Sequence, residues 1–193
     1  MVLVATVRAL KMHGGGPVVT PGAPLKPEYT QENIELLRKG IPNLLKHIGN
    51  GTKHGIPVVV AINKHATDTE TELEIVRKAA LEGGAFDALL CTHWSDGGAG
   101  AVDLAEAVIA ACDQPNNFHF LYDLNKSIKG KILTIAKEMY GAGTVEYSPK
   151  VNEIIDKYTA QVIFMIVRKT LMTRYFHRAL INFQYVWQKL RCL

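Results

Sequence analysis

The sequence predicts an α/β fold in which a mostly parallel sheet is flanked by helices. Two observations carry that expectation. Strand-like and helix-like stretches alternate along the chain. The clearest strand, Gly55-Ile56-Pro57-Val58-Val59-Val60-Ala61-Ile62, is apolar on both alternating faces, as a central strand covered above and below must be.

The elements follow in order. Val2 to Val7 is a β-branched run and reads as a buried strand. Lys11 to Gly16 then reads as a glycine-rich turn, and Pro17, Pro21, Pro24 and Pro27 continue an irregular segment. Thr30 precedes a helical pattern of Ile34, Leu37, Ile41, Leu44, Leu45 and Ile48, with Pro42 as the expected break or kink. After the Gly55–Ile62 strand, Asn63 to Asp68 forms a polar turn. Thr69 caps the next helix, with Glu72 at the capping-box spacing and a Glu74/Lys78 pair on its surface. Phe86 to Cys91 reads as a third strand, Thr92 to Gly100 as a glycine-rich loop, and Val102 to Ala111 as a helix. Phe118 to Tyr122 is a candidate fourth strand. Ile128, Ile132, Ile135, Ala136 and Met139 recur at helical spacing. Ser148-Pro149 opens a last helix through Tyr158.

Composition narrows the function classes. A 48% hydrophobic fraction in 193 residues suffices for a core, and a 21% charged fraction is ordinary for a globular chain. The net charge of +4 is local. Residues 162–193 hold Arg168, Lys169, Arg174, Arg178, Lys189 and Arg191 and no acid. Without those six, 16 basic residues face 18 acidic ones, a net of −2. A nucleic-acid footprint is therefore not expected. Cys91, Cys112 and Cys192 are widely spaced, which favours reduced thiols in an intracellular protein over a disulfide frame or a zinc site. Arg8 ends the apolar start too early for a signal or a membrane span, and a chain that opens inside a strand suggests sequence upstream of Met1.

In parallel α/β sheets, ligands bind outside the carboxyl ends of strands. Three segments meet that condition. In Lys11-Met12-His13-Gly14-Gly15-Gly16, Lys11 and His13 either meet an anion or are solvated on a mobile turn. Asn63-Lys64-His65-Ala66-Thr67-Asp68-Thr69 is near the Asn-Lys-x-Asp turn of GTPases, but the acid falls at Asp68 rather than at Ala66, so ordinary helix capping is the simpler reading. In Cys91-Thr92-His93-Trp94-Ser95-Asp96-Gly97-Gly98, the flat face of Trp94 either stacks on a heteroaromatic ring or folds back onto the core, and composition alone favours the core. The sequence holds no G-x-x-x-x-G-K-[ST] phosphate loop, no G-x-S-x-G elbow and no H-E-x-x-H pair.

Taken in order, these segments resemble formate–tetrahydrofolate ligase. Val4-Ala5-Thr6-Val7-Arg8-Ala9-Leu10-Lys11-Met12-His13-Gly14-Gly15 is the most specific stretch. Pro57 to Asn63, Thr67-Asp68-Thr69-Glu70, Gly84-Ala85-Phe86-Asp87, His93-Trp94, Leu121-Tyr122-Asp123 and Tyr140-Gly141-Ala142 extend it. The likeness runs from about residue 2 to Gln161. It divides the chain into a partial ligase domain, 1–161, and a divergent basic, aromatic tail, 162–193.

The resemblance implies a P-loop NTPase-like layered architecture, incomplete here because the family's phosphate loop lies upstream of this segment. It implies ATP-dependent formation of 10-formyltetrahydrofolate through formyl phosphate. ATP with Mg would be co-substrate and tetrahydrofolate the substrate. Trp94 would lie at the pterin, with His65 where the family commonly has phenylalanine, and Asn63 beside them. Arg8, Lys11 and His13 would lie near the anionic substrates, and Asp68 near the nucleotide. Relatives of this kind occur in cytosol and mitochondria. Small-molecule substrates and association with itself or with full-length subunits are the expected partners. No membrane partner is expected.

Overall fold

The computed structural model describes residues 1–115 and 117–169, the side chains of 162–169 excepted. The basic, aromatic stretch with Tyr175, Phe176, Phe183, Tyr185 and Trp187 lies outside the described residues. The chain divides into two compact units, Met1–Leu124 and Asn125–Leu193.

The first unit is built on a three-stranded sheet of order β1-β2-β3, with β1 Val2–Ala5, β2 Val59–Asn63 and β3 Asp87–Cys91. Both pairings are parallel, with Val4 opposite Ala61 and Asn63 opposite Cys91. The expected α/β class is therefore present. The four residues Val59 to Ile62 are all buried, which is why a run apolar on both faces forms the central strand.

One face of the sheet carries the main core. There α1 (Val7–His13), α3 (Ile34–Thr52) and α4 (Glu70–Glu82) bury Val7, Leu10, Leu37, Leu44, Ile48, Leu73 and Val76 against Val60, Ile62 and Ala88. On the other face α6 (Val102–Cys112) covers Val59 and Leu89 with Ala107, Val108 and Ala111. β1 is an edge strand, and its Val2 and Val4 remain 46% and 65% exposed.

Several local expectations hold. Thr69 and Glu72 form a reciprocal capping box at the start of α4. The third strand and the helix after the glycine-rich loop are present. In the second unit, Ser127 caps α7 (Ile128–Tyr140). Ser148 caps α8 (Pro149–Lys169), which runs past Tyr158 through the apolar 162–167 stretch. Gly141 ends α7 in the left-handed conformation that favours glycine.

Others are corrected. The first strand stops at Ala5, because Thr6 caps a helix where the β-branched Val7 suggested continued strand. Thr30 closes the short α2 (Pro27–Thr30), and Asn33 caps α3 instead. α3 is one helix across Pro42, without the expected break. Lys78 pairs with Glu82 and Glu74 with Arg77, so the expected Glu74/Lys78 pair is absent. Phe118 to Tyr122 is not a strand. Its His119 amide donates to the His54 carbonyl of a loop, and Phe118 and Phe120 are exposed. No helix among the described residues is long and apolar enough to cross a membrane.

On the outer face of α3, Lys39 donates to Glu35 at 2.7 Å, and this hydrogen bond and the lysine's charge hold the Glu35 carboxyl below its ordinary value. A depressed carboxyl stabilises the fold above its unfolded pKa and loses that contribution as pH falls through the folded one. Both side chains are exposed to solvent, so the contribution is small. Lys39→Met is expected to move the Glu35 titration upward, as followed by carboxyl NMR. An unmoved titration would rule out the lysine as the cause.

Candidate functional site at the carboxyl edge of the sheet

Because all three strands run the same way, Ala5, Asn63 and Cys91 end on one edge. Two strand spacings put the segments after β1 and β3 about 10 Å apart, with the segment after β2 between them.

After β1 the chain turns at once into α1, so the expected glycine turn over Lys11 to His13 is instead a helix. The Thr6 hydroxyl accepts from the Ala9 amide at 3.0 Å, and Val7, Leu10 and Lys11 fall on the buried face. Gly14 is the helix cap, and Gly15 carries the turn at φ 100°. Arg8 sits in the first turn, next to the strand end. Its Nε is buried and has no hydrogen-bond partner.

Lys11 is 1% exposed. Its ammonium lies 2.6 Å from Glu72 Oε1 and donates to the Gln31 carbonyl at 2.8 Å. His13 is exposed on the last turn, about 7.5 Å along the axis from Arg8 and about 140° around it. The structure thus separates the three residues. Arg8 is at the edge, Lys11 is in the interior with its charge matched, and His13 is at the far end of the helix.

After β2 the polar turn is tied down from several sides. The Lys64 amide donates to the Cys91 carbonyl at 3.1 Å, and its ammonium pairs with Glu70. The His65 amide donates to Asp68 Oδ2 at 2.8 Å, and the Asp68 amide returns to the His65 carbonyl at 3.0 Å. Asp68 is therefore engaged in closing its own turn. The Thr69 hydroxyl donates to Glu32 at 2.7 Å. Asn63 and His65 are half-buried beside this turn.

After β3 the expected loop is shaped into α5 (His93–Asp96) and a 3-10 turn (Gly97–Ala101). The Thr92 amide donates to the Gly100 carbonyl at 2.9 Å, an approach that leaves no room for a side chain at Gly100. Gly97 adopts φ 59°. The Cys91 thiol lies 3.0 Å from His93 Nδ1. On this exposed spur Trp94 is 89% exposed, and among the described residues its ring meets no other ring. The core reading of the indole is thereby overturned.

Glu72 is the residue whose importance sequence reasoning missed. It was visible as a cap, but its buried partner Lys11 is remote in sequence. Among the described residues, no group of three or more His, Cys, Asp or Glu side chains is placed to hold a metal ion. A groove of about 330 Å³ lined by Gly55, Pro57, Gly84, Phe86 and Asn117 lies at the amino ends of β2 and β3, on the opposite rim from Trp94.

An exposed indole, an arginine with a buried, unpartnered Nε and a braced polar turn lie along the edge where parallel α/β sheets offer room for ligands. A family model described as formate–tetrahydrofolate ligase matches residues 1–172. The chain is 60% identical over 159 residues to the cytoplasmic C-1-tetrahydrofolate synthase of Drosophila melanogaster, a match covering 82% of this chain and 16% of that protein. It is 53% identical over 161 residues to the cytoplasmic synthase of Homo sapiens, covering 83% of this chain and 17% of that protein. It is also 53% identical over 161 residues to the mitochondrial synthase of Saccharomyces cerevisiae, covering 83% of this chain and 16% of that protein. The chain belongs to the formate–tetrahydrofolate ligase family. It spans about a sixth of the length of these relatives.

Proposed function

We propose that this chain forms the folate-binding edge of a formate–tetrahydrofolate ligase of one-carbon metabolism. The observation that carries the reading is Trp94, an indole 89% exposed at the carboxyl end of β3 in a chain of this family. In this reading the pterin lies on the Trp94 face. His65, on the adjacent turn, flanks it and adds charge when protonated, and Asn63 offers its amide to the ring's polar edge. The reaction joins formate to the γ-phosphoryl group of ATP, releasing ADP and giving formyl phosphate. The amine of tetrahydrofolate then attacks the formyl carbon, and phosphate leaves as 10-formyltetrahydrofolate forms.

Arg8 is the anion contact of choice, because its buried Nε lacks a partner that a phosphate or carboxylate oxygen would supply. Lys11 serves from the interior. His13 meets substrate only at the outer end of α1. Asp68 supports the His65 turn, and any nucleotide contact it makes is through that turn. ATP with Mg is the expected co-substrate, and no residue of this chain is named as a ligand for the ion. The three-stranded sheet is read as part of a P-loop NTPase-like layered architecture, with 1–161 as the ligase segment and 162–193 as a divergent tail. The compartment is the cytosol, with mitochondria as the alternative, following the relatives' names.

Tetrahydrofolate binding followed by calorimetry tests the site. Trp94→Ala is expected to weaken it by about 1–3 kcal/mol, the size of stacking a flat heterocycle on an aromatic side chain. Equal affinity in both proteins would remove Trp94 from the site. The chain lacks a phosphate-loop motif, so we expect no 10-formyltetrahydrofolate from ATP, formate and tetrahydrofolate in a coupled assay. Steady turnover would overturn that expectation. A second, non-catalytic reading is supported by the open edge of β1, where Val2 and Val4 are exposed. There the chain binds folate weakly or joins full-length subunits or further copies of itself, which co-elution with a full-length synthase would reveal.

A further inference from the structure

The Glu72 carboxylate is fully buried and collects three donors from three different segments. Oε1 lies 2.6 Å from the Lys11 ammonium in an ion pair and accepts from the Asn33 amide at 2.8 Å, and Oε2 accepts from the Thr69 amide at 3.4 Å. Lys11 lies one helical turn beyond Arg8 on α1. Thr69 directly follows the His65–Asp68 turn. One charged link thus joins the helix that carries the unpartnered Arg8 Nε to the end of the turn that carries His65. A cap alone does not need that link, because the Thr69 hydroxyl and a neutral acceptor at position 72 already make a capping box.

We propose that the Lys11–Glu72 pair is a positioning device for the ligand site, fixing Arg8 and the His65 turn relative to each other. The inference rests on the folate reading above. A displacement of about 1 Å in such groups costs up to about a hundredfold in well-placed contacts. Breaking the pair on one side strands a buried charge. The informative variant is therefore the double substitution Lys11→Met/Glu72→Gln. It keeps an amide oxygen for the Asn33 amide, gives up the longer Thr69 amide contact, and removes both charges together.

The test uses the full 193-residue chain and tetrahydrofolate as the probe. The double variant is expected to keep a cooperative thermal transition near that of the parent and to bind tetrahydrofolate about tenfold more weakly. In the parent, saturating tetrahydrofolate is expected to slow hydrogen exchange at the Thr69 and Asn33 amides, because coupling between the link and the ligand is reciprocal. Unchanged affinity in a folded double variant overturns the inference while leaving the folate reading intact. Unchanged exchange at both amides in a parent that binds tetrahydrofolate does the same, and decides the matter if the variant fails to fold. A parent that does not bind tetrahydrofolate overturns the folate reading itself.

Discussion

Lys11→Met alone is expected to cost the first unit about 3–5 kcal/mol, read as a lower urea midpoint at unchanged slope. The methionine fills much of the same space, so lost packing is not the cause. The cause is the Glu72 carboxylate, 0% exposed and left with two backbone amides and no counter-charge. Against a typical domain stability of about 5–15 kcal/mol, that is a large share of the whole. Adding Glu72→Gln is expected to recover most of the loss, since a pair of neutral residues avoids the desolvation that the lone carboxylate incurs. A single substitution costing under about 1 kcal/mol would show that this pair does not hold α1 to α4.

Gly40→Ala is the second large effect. A methyl group at Gly40 would stand 1.8 Å from the Leu10 carbonyl oxygen, and one at Gly14 would stand 2.0 Å from the Leu36 oxygen. These are backbone atoms and cannot rotate away, so α1 must lift from α3. Overpacking of this kind costs about 1–3 kcal/mol and sometimes more, and here it displaces the helix that bears Arg8. Gly49→Ala supplies the contrast within the same helix. Nothing lies within 4 Å of a methyl group there, so the substitution is expected to stabilise by about 0.8–1 kcal/mol through helix propensity. Thermal melts of the two variants should move in opposite directions. Movement of both the same way would exclude the close helix contact as the reason for glycine at position 40.

Much of the fold was legible because its signals are local. β2 declares itself by β-branched residues on both faces, and α4 by a threonine and a glutamate three residues apart. The carboxyl-edge location of the candidate site followed from strand–helix alternation alone. The failures have physical causes. Val7 is β-branched and prolonged the expected strand, although Thr6 ahead of Arg-Ala-Leu-Lys-Met carried a usable capping signal. Lys78 has glutamates four residues away on either side, and propensity rules do not choose between them. The burial of Lys11 had no local signal, because the carboxylate that permits it comes from a distant helix. The exposure of Trp94 had no signal in composition, although the family resemblance already placed the indole at the pterin. An indole in a glycine-rich stretch packs inward unless the backbone prevents it, and here the Thr92–Gly100 hydrogen bond and the Gly97 turn hold it out.

The shared direction of the three strands sets the candidate ligand edge and the groove at the amino ends on opposite rims. A fluorophore or tether attached at exposed Glu82, the last residue of α4, sits ahead of the start of β3 rather than at its end. The length of that strand, about 17 Å at the usual rise per residue, then insulates such a handle from Arg8, His65 and Trp94.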